Sequence, residues 1–445
     1  MIKLVFPKNE LTDLASQFRA ERLESFALIL ARPVKTSTKN WRLLVQSIHV
    51  PTPDEYEQRS EVTVRPSAAF RLALEKRARR NGLSLVYCHS HPRQPGIPSF
   101  SGIDDKTEMP LAAYSRDRIG TMPHIALLVG AEGFRARELG CGDPVELFEV
   151  GRRVIRHFPA DSLPVTNEYD RQIRAFGADG QRAIQALRVA IIGLGGTGSV
   201  VAQELAYLGV RQFLLIDPQP LDETNLNRVV GARRSDIGRP KVQIARRMIK
   251  QLVPNAEVKV KQGDVLEKAV GKLVTDVDFI FCCTDSHGSR HFVNQLVYQF
   301  FIPCIDMGVV INVQDGRLTH FGTRVQMLAP GLGCLVCTDG ILSPDEIRID
   351  LSNEEQRRAD PYFLGRVNIT QPSVISLNSS AASAAVTMFL AAVAGIPTDS
   401  RSQILRGVPG VVRTLETTPR QGCVNCSTDA YYGKGAQYDL PIRAR

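Results

Sequence analysis

No run of apolar residues in this 445-residue chain is read as reaching the roughly 18–20 that a membrane-spanning helix needs, so no membrane association is expected. The opening segment, MIKLVFPKNELTD, has neither a signal-peptide core nor a small-residue cleavage site. No internal repeat is present. The single tryptophan, Trp41, is read as a packing residue rather than a ligand platform. Lys and Arg outnumber Asp and Glu by 55 to 46, a formal charge of +9, yet the surplus is scattered. Arg77, Arg79 and Arg80, or Arg233 and Arg234, form short groups without interleaved aromatics. Single-strand nucleic-acid binders interleave the two, so no nucleic acid is expected. The charge reads as a solvated face, with an acidic protein partner the next choice.

What is present is ordinary in bulk and unusual in detail. Hydrophobic content of 43% and charged content of 23% suit a globular protein, and the length allows two or three domains. The nine cysteines include two Cys-x-x-Cys pairs, Cys334/Cys337 and Cys423/Cys426. In an enzyme-like chain such pairs favour zinc over disulfides and a reducing, cytoplasmic compartment.

The first half reads as helix over 9–22, strands Phe26–Ala31 and Leu43–Val50, helix Ala68–Arg80 closed by Asn81-Gly82, and strand Leu83–Cys88. A helix over 101–114 and a strand over Pro123–Gly130 follow. Composition breaks at FPADSLPVT, placing a linker at 159–166. Strand and helix then alternate: Arg188–Ile192, Ser199–Leu208, Phe213–Asp217, Lys241–Gln251, Phe279–Cys283 and Ser289–Phe300. That rhythm predicts a doubly wound, Rossmann-like parallel sheet, so the fold class is α/β throughout.

Residues 89–104, HSHPRQPGIPSFSGID, have the donor types of a hydrolytic metal site. His89 and His91 are two apart and project to one side of an extended segment. Pro92 stops the strand, and Asp104 can return from the next helix. Two imidazoles, a carboxylate and a water make an open zinc site, where the water's pKa falls towards about 7. Ser101 is placed to donate to an oxyanion. The order His-x-His-Pro, Ser-x-x-Asp resembles the JAMM (MPN) metallopeptidase family, whose domain is cytidine-deaminase-like. The resemblance implies zinc on His89, His91 and Asp104, with a catalytic glutamate just before the first core strand. Glu24 matches that position and Glu21 is the substitute. The gap between Pro92 and Ser101 is eight residues, longer than in many members, and Asp105 reads as either a support to the metal ligands or a solvent-facing residue.

Gly193, Gly195, Gly196 and Gly198 form G-x-G-G-x-G between a strand and a helix, with Asp217 after the next strand. The glycines admit a phosphate to the helix N-terminus and the acid accepts a ribose hydroxyl. Alone, these would indicate a nicotinamide dehydrogenase. Asn225 and Arg228 follow in DETNLNR, Lys241 opens a helix in GRPK, and Asp285 follows FIFCC. Cations there suit a triphosphate that loses pyrophosphate, and Asp285 suits Mg2+. The set resembles the ThiF/MoeB-like, ubiquitin-activating enzyme family. That implies ATP-dependent adenylation of a C-terminal glycine on a ubiquitin-like or sulfur-carrier protein. Tyr169-Asp170-Arg171-Gln172 resembles the segment supplying an arginine finger, often from the second subunit of a dimer, so a homodimer with Arg171 reaching across is expected.

Cys334, Cys337, Cys423 and Cys426 would close a structural zinc, which many family members carry. No cysteine occurs between 338 and 422, where thioester-forming members place one. Cys88, Cys282, Cys283 and Cys304 sit in apolar runs and read as core. Adenylation could therefore be the last step here, with a conjugating partner's cysteine or a sulfur donor attacking next. The domains expected are a JAMM peptidase over 1–158, the linker 159–166, a ThiF/MoeB-like adenylating domain over 167–426 and a polar tail over 427–445. The rival readings are a biosynthetic enzyme that adenylates a peptide or small-molecule carboxylate, and a non-catalytic scaffold that binds ubiquitin-like proteins.

Overall fold

The structure is a computed structural model that describes residues 1–157, 166–338, 342–353, 355–356 and 372–443. Of the expected linker, residues 159–165 lie outside the described residues. The chain divides into two compact units: Met1–Ser162 with Gly433–Tyr438, and Leu163–Tyr432 with Asp439–Arg445.

In unit 1 the elements run β1 (Ile2–Pro7), α1 (Glu10–Arg19), β2 (Phe26–Lys35), β3 (Trp41–His49), β4 (Tyr56–Arg59), β5 (Val64–Pro66) and α2 (Ala68–Asn81). They continue with β6 (Ser84–Ser90), α3 (Gly102–Arg118), β7 (Ile125–Val129), β8 (Phe134–Glu138), β9 (Val145–Val150) and β10 (Val154–His157). Eight strands form one mixed sheet in the order β10-β9-β1-β3-β2-β6-β7-β8. Both faces are covered, because consecutive residues of β2 and β6 are apolar and point alternately to the two faces. Ala27, Ile29, Val86 and Cys88 pack with Leu11, Leu14 and Phe18 of α1 on one face. Phe26, Leu28, Leu85 and Tyr87 pack with Leu74 and Ala78 of α2 and Ala112 of α3 on the other. Helix α2 starts where Ser67 accepts the Phe70 amide and ends at Gly82, whose φ of 60° is the left-handed cap that glycine allows.

Unit 2 contains α4 (Asp170–Ala186), β11 (Arg188–Ile192), α5 (Gly196–Tyr207), β12 (Gln212–Ile216), α6 (Lys241–Leu252), β13 (Glu257–Lys261), α7 (Lys268–Val274), β14 (Phe279–Cys282) and α8 (His287–Phe300). There follow β15 (Cys304–Gln314), β16 (Arg317–Leu328), α9 (Pro344–Leu351), α10 (Ile375–Val393), β17 (Ser402–Arg406) and β18 (Val411–Thr414). The sheet order is β13-β12-β11-β14-β15-β16-β17-β18. The five strands from β13 to β15 are parallel, as the strand–helix rhythm predicts. From β15 onward pairing is antiparallel, an extension that the sequence reading did not include.

Helix α10 also went unread, and it corrects the expectation about apolar runs. Its 19 residues reach a mean hydropathy of 1.4, long and apolar enough by length and composition to cross a membrane. Half of that window is nevertheless buried inside the protein. Phe389 meets the rings of Phe279 and Phe281 at 4.9 and 5.6 Å between centroids.

Candidate functional site

Two constellations lie in different units. In unit 1, β6 delivers His89 at its C-terminal end, paired in register with Phe26 at the start of β2. The Ser25 amide donates to Ser90 Oγ at 2.9 Å, and the Ser90 amide to the Ser25 carbonyl at 3.0 Å. Those bonds hold Glu24, the residue just before, beside the histidines. Arg59 adds a bond from Nε to the Glu24 carbonyl at 3.0 Å. Across the loop, Ser101 and Asp104 form a capping box at the start of α3.

The donor atoms converge. His89 Nε2 lies 3.2 Å from His91 Nε2 and 3.1 Å from Asp104 Oδ1, and His91 Nε2 is 3.7 Å from Asp104 Oδ2. Zinc ligands about 2.05 Å from a tetrahedral centre are about 3.3 Å apart, so these three residues fit that ion. Gln94 fixes the far nitrogen of His91, its Oε1 lying 3.2 Å from Nδ1, as a ligand's second bond should. Glu24 Oε1 stands 3.8 Å from His91 Nε2. Burial pushes the Glu24 carboxyl up to about 7, with His89 pulling it down and Asp104 pushing it up. Burial raises Asp104 too, but hydrogen bonds from His89 and Ser101 prevail and hold it well below the usual carboxylate range.

Ser101 departs from its expected role. Its hydroxyl donates to Asp104 Oδ2 at 2.8 Å and accepts the Asp104 amide at 3.2 Å, so in this arrangement it orients the carboxylate. Asp105 faces outward and pairs with Arg137 at 2.7 Å. Glu21 is half-exposed and salt-bridged to Arg59 at 3.4 Å, away from the histidines that Glu24 meets.

In unit 2 the loop between β11 and α5 is shaped by its glycines. A Cβ at Gly193, where φ is 88°, would meet the Cys283 carbonyl at 2.9 Å. One at Gly196 would meet Asn378 Nδ2 at 2.1 Å and Arg228 Cδ at 3.4 Å. Gly195 caps α5, leaving its first amides available to an anion. Arg228 thus passes beside the glycine loop. Lys241, buried at the start of α6, donates from Nζ to Gln219 Oε1 at 2.8 Å. Asn225 is held in the same loop by accepting the Asp222 amide at 3.2 Å. Hydrogen bonds from Thr224 lower the Asp222 carboxyl, and the charges of Lys241 and Arg228 add to that effect. Asp285 follows β14, the strand next to β11, and is exposed at the same sheet edge.

Asp217 also carries a structural role. Both oxygens of buried Asp217 already accept backbone amides, Leu194 at 2.7 Å and Gln219 at 2.8 Å. The carboxylate therefore braces the glycine loop, and a ribose hydroxyl would need its remaining lone pairs. Arg171 is exposed on α4, whose neighbours Tyr169 and Gln172 contact Gly209 and the Tyr207 carbonyl at the far end of α5. Twelve helical residues separate the ends of α5, about 18 Å at 1.5 Å each, so this chain does not bring Arg171 to its own glycine loop. Asn378 and Gln219 were missed. Asn378 comes from α10, distant in sequence and outside any short motif.

The four paired cysteines meet as a group within 4.8 Å. Cys334 Sγ is 3.7 Å from Cys337 and 3.6 Å from Cys423, and Cys337 is 3.5 Å from Cys426. Thiolates about 2.3 Å from a tetrahedral zinc are about 3.8 Å apart, so the set fits a closed structural site. Asn294 on α8 anchors it by accepting the Leu335 amide at 2.8 Å and, through its carbonyl, the Asn425 side-chain amide at 3.0 Å. Cys88, Cys282 and Cys304 are buried, as expected of core thiols, and Cys283 is partly so. Residues 427–443 of the expected tail are ordered: Gln46 Nε2 donates to the Gly433 carbonyl at 3.1 Å, and Arg443 Nη2 to Asp264 Oδ2 at 2.7 Å.

A nucleotide-type glycine loop, with Arg228 beside it, thus opens α5 on a Rossmann-like sheet. The model of the ThiF family matches residues 169–405, and the chain belongs to that family. It is 32% identical over 158 residues to the molybdopterin-synthase adenylyltransferase of Salmonella typhimurium, covering 35% of this chain and 63% of that protein. It is 31% identical over 173 residues to the sulfur carrier protein ThiS adenylyltransferase of Escherichia coli, covering 38% and 65% respectively. These matches span a little under two thirds of each relative's length. A crystal structure of the microcin C7 biosynthetic enzyme MccB with N-formylated MccA aligns at a TM-score of 0.49 and 19% identity, over 59% of this chain and 75% of that one.

Proposed function

We propose that unit 2 adenylates the C-terminal glycine of a ubiquitin-like or sulfur-carrier protein, and that unit 1 is a JAMM-type zinc peptidase or isopeptidase acting on the same modifier. The setting proposed is the cytoplasm. Membership of the ThiF family and the names of the two adenylyltransferase relatives support the first half. The observation that carries it is the passage of Arg228 beside Gly196 of the glycine loop, with Lys241 linked to the same loop through Gln219 and Asp217.

In this reading a carboxylate oxygen of the modifier attacks the α-phosphorus of ATP. The bond to the β-phosphate's bridging oxygen breaks, and an acyl-adenylate and pyrophosphate result. Arg228 and Lys241 offset charge on the departing pyrophosphate. Asp285 would hold Mg2+, which screens the phosphates from the incoming carboxylate. Arg171 is assigned to a second copy's site, which its distance from its own glycine loop favours. With no cysteine between 338 and 422, the next nucleophile is assigned to a partner.

The peptidase half rests on His89, His91, Asp104 and Glu24. Zinc held by the first three would supply Lewis acidity and lower the pKa of a water. Glu24, beside His91 at 3.8 Å, takes up a proton and returns it to the leaving amine. Whether the unit trims a precursor or releases the modifier depends on the substrate it accepts.

ATP–pyrophosphate exchange against small proteins ending in glycine tests the adenylation half. Exchange with such a protein and not with short peptides supports it. Exchange with peptides alone indicates a biosynthetic carboxylate activator. No exchange from folded, zinc-loaded protein indicates a docking module.

A further inference from the structure

The loop that carries Asp285 is short and its carboxylate exposed, so something must hold the turn between β14 and α8. Asp350, at the C-terminal end of α9, does so. Its Oδ2 accepts the Ser286 hydroxyl at 2.8 Å and the Gly288 amide at 2.8 Å. The Ser286 hydroxyl in turn accepts the Ser289 amide at 3.1 Å, so Asp350 bonds the residue that caps α8. Its negative charge also lies at the positive end of that helix dipole. Gly288 permits the approach: a Cβ there would lie 2.5 Å from Asp350 Cβ. At the other end of α9, the Ser343 amide donates to His287 Nδ1 at 3.1 Å. Helix α9 is therefore fastened at both ends to the first turn of α8.

Asp350 is itself held. Arg443 Nε donates to the Asp350 carbonyl at 3.1 Å, its backbone amide to the Leu266 carbonyl at 2.9 Å, and Nη2 to Asp264 Oδ2 at 2.7 Å. Further along α8, Arg290 pairs with buried Asp306 at 3.3 Å, which Arg324 also engages.

We propose that Asp350 is a positioning residue for adenylation, acting through Ser286 and Gly288 on Asp285, with Arg443 setting Asp350. The inference rests on the adenylation reading for its catalytic part. It makes the segment around α9 and the distant Arg443 components of the nucleotide site, although neither belongs to the glycine or Asp285 motif.

The test compares wild type, Asp350→Ala, Asp350→Asn and Arg443→Ala as full chains. Exchange rate, magnesium requirement, thermal midpoint and amide hydrogen exchange over 284–290 are read on each. A positioning role predicts that D350A lowers the exchange rate about 10–100-fold, raises the magnesium needed for half-maximal rate, and speeds amide exchange at 286–289. D350N keeps an acceptor oxygen and should recover most of the rate, and R443A should fall between. A D350A protein with wild-type magnesium requirement and unchanged amide exchange overturns the proposal, whatever its total activity. If wild type gives no pyrophosphate exchange, the adenylation reading fails and the catalytic role of Asp350 fails with it. In that event amide exchange still reports whether Asp350 holds the loop, which separates the two failures.

Discussion

Gly198 stands so close to Gly193 that a Cβ on the former would lie 1.9 Å from the carbonyl oxygen of the latter. Gly195, in the same loop, has open space where its Cβ would be, with no atom within 4 Å. The pair separates a packing requirement from a ligand requirement. Gly198→Ala should destabilise unit 2 by about 3 kcal/mol and lose nucleotide binding together with folding. Gly195→Ala should keep the wild-type thermal midpoint and still weaken ATP, because the added methyl lies where a phosphate must approach the start of α5. Thermal scans with and without Mg·ATP distinguish them, and a G195A protein with full ATP stabilisation would place the nucleotide elsewhere.

The two proposed catalytic centres should fail independently. Asp285→Ala is expected to lower pyrophosphate exchange at least about 100-fold and leave isopeptide cleavage intact. Glu24→Gln should abolish cleavage while retaining zinc at His89, His91 and Asp104. Parallel assays of both activities on each variant are sufficient. Loss of both functions from either change would contradict separate sites.

Metal content should follow the same division. Elemental analysis is expected to find one zinc for each of the two clusters. His91→Ala should remove one with little effect on folding, since that trio is an open, partly exposed site. Cys334→Ser should remove the other and destabilise unit 2 severely, because a closed four-thiolate site contributes roughly 10 kcal/mol or more to folding. A chelator should reproduce the second effect in the thermal midpoint.

Arg247 grips Asp236 with two bonds of 2.7 Å, Nη1 to Oδ1 and Nη2 to Oδ2. Those hydrogen bonds hold the buried carboxyl at about 2, below the ordinary 3.8. A depressed folded-state value means the stabilisation is full above pH 4 and is lost as pH falls from about 4 to about 2. Asp236→Asn should therefore lower the thermal midpoint at pH 6, and the gap to wild type should close on acidification through that window. A constant gap would show that the ionised pair is not its source.

Phe389→Ala tests whether α10 is a core helix. Removing a ring packed against Phe279 and Phe281 should cost about 3–5 kcal/mol by urea denaturation in plain buffer. A membrane-embedded α10 would make that loss small in buffer and large in detergent.

The residue types and their order in the chain carried most of the chemistry. His89, His91 and Asp104 were legible because a two-residue period places both rings on one side of a strand and the order His-x-His-Pro, Ser-x-x-Asp resembles a metallopeptidase motif. The glycine loop, Lys241 and Asp285 were legible because each adjoins a short, strongly patterned strand or helix, and Arg228, in a turn, through the charge that a triphosphate needs. The parallel half of the unit 2 sheet followed from strand–helix alternation.

What only tertiary structure decided depends on contacts between residues far apart in the chain. Both Asp217 oxygens are taken by backbone amides, because β11 and β12 pair in a register that sets the acid beneath the glycine loop. Arg171 sits at the end of α5 remote from its own glycine loop because Tyr169 packs where Gly209 leaves room. Asn378 reaches Gly196, and Asp350 reaches Ser286, from helices that no local motif announces. Periodicity and capping are local, so sequence alone specifies which elements form and which groups they present. The partners those groups meet are set by packing, where the close approach of two backbones or a buried carboxylate depends on the whole fold.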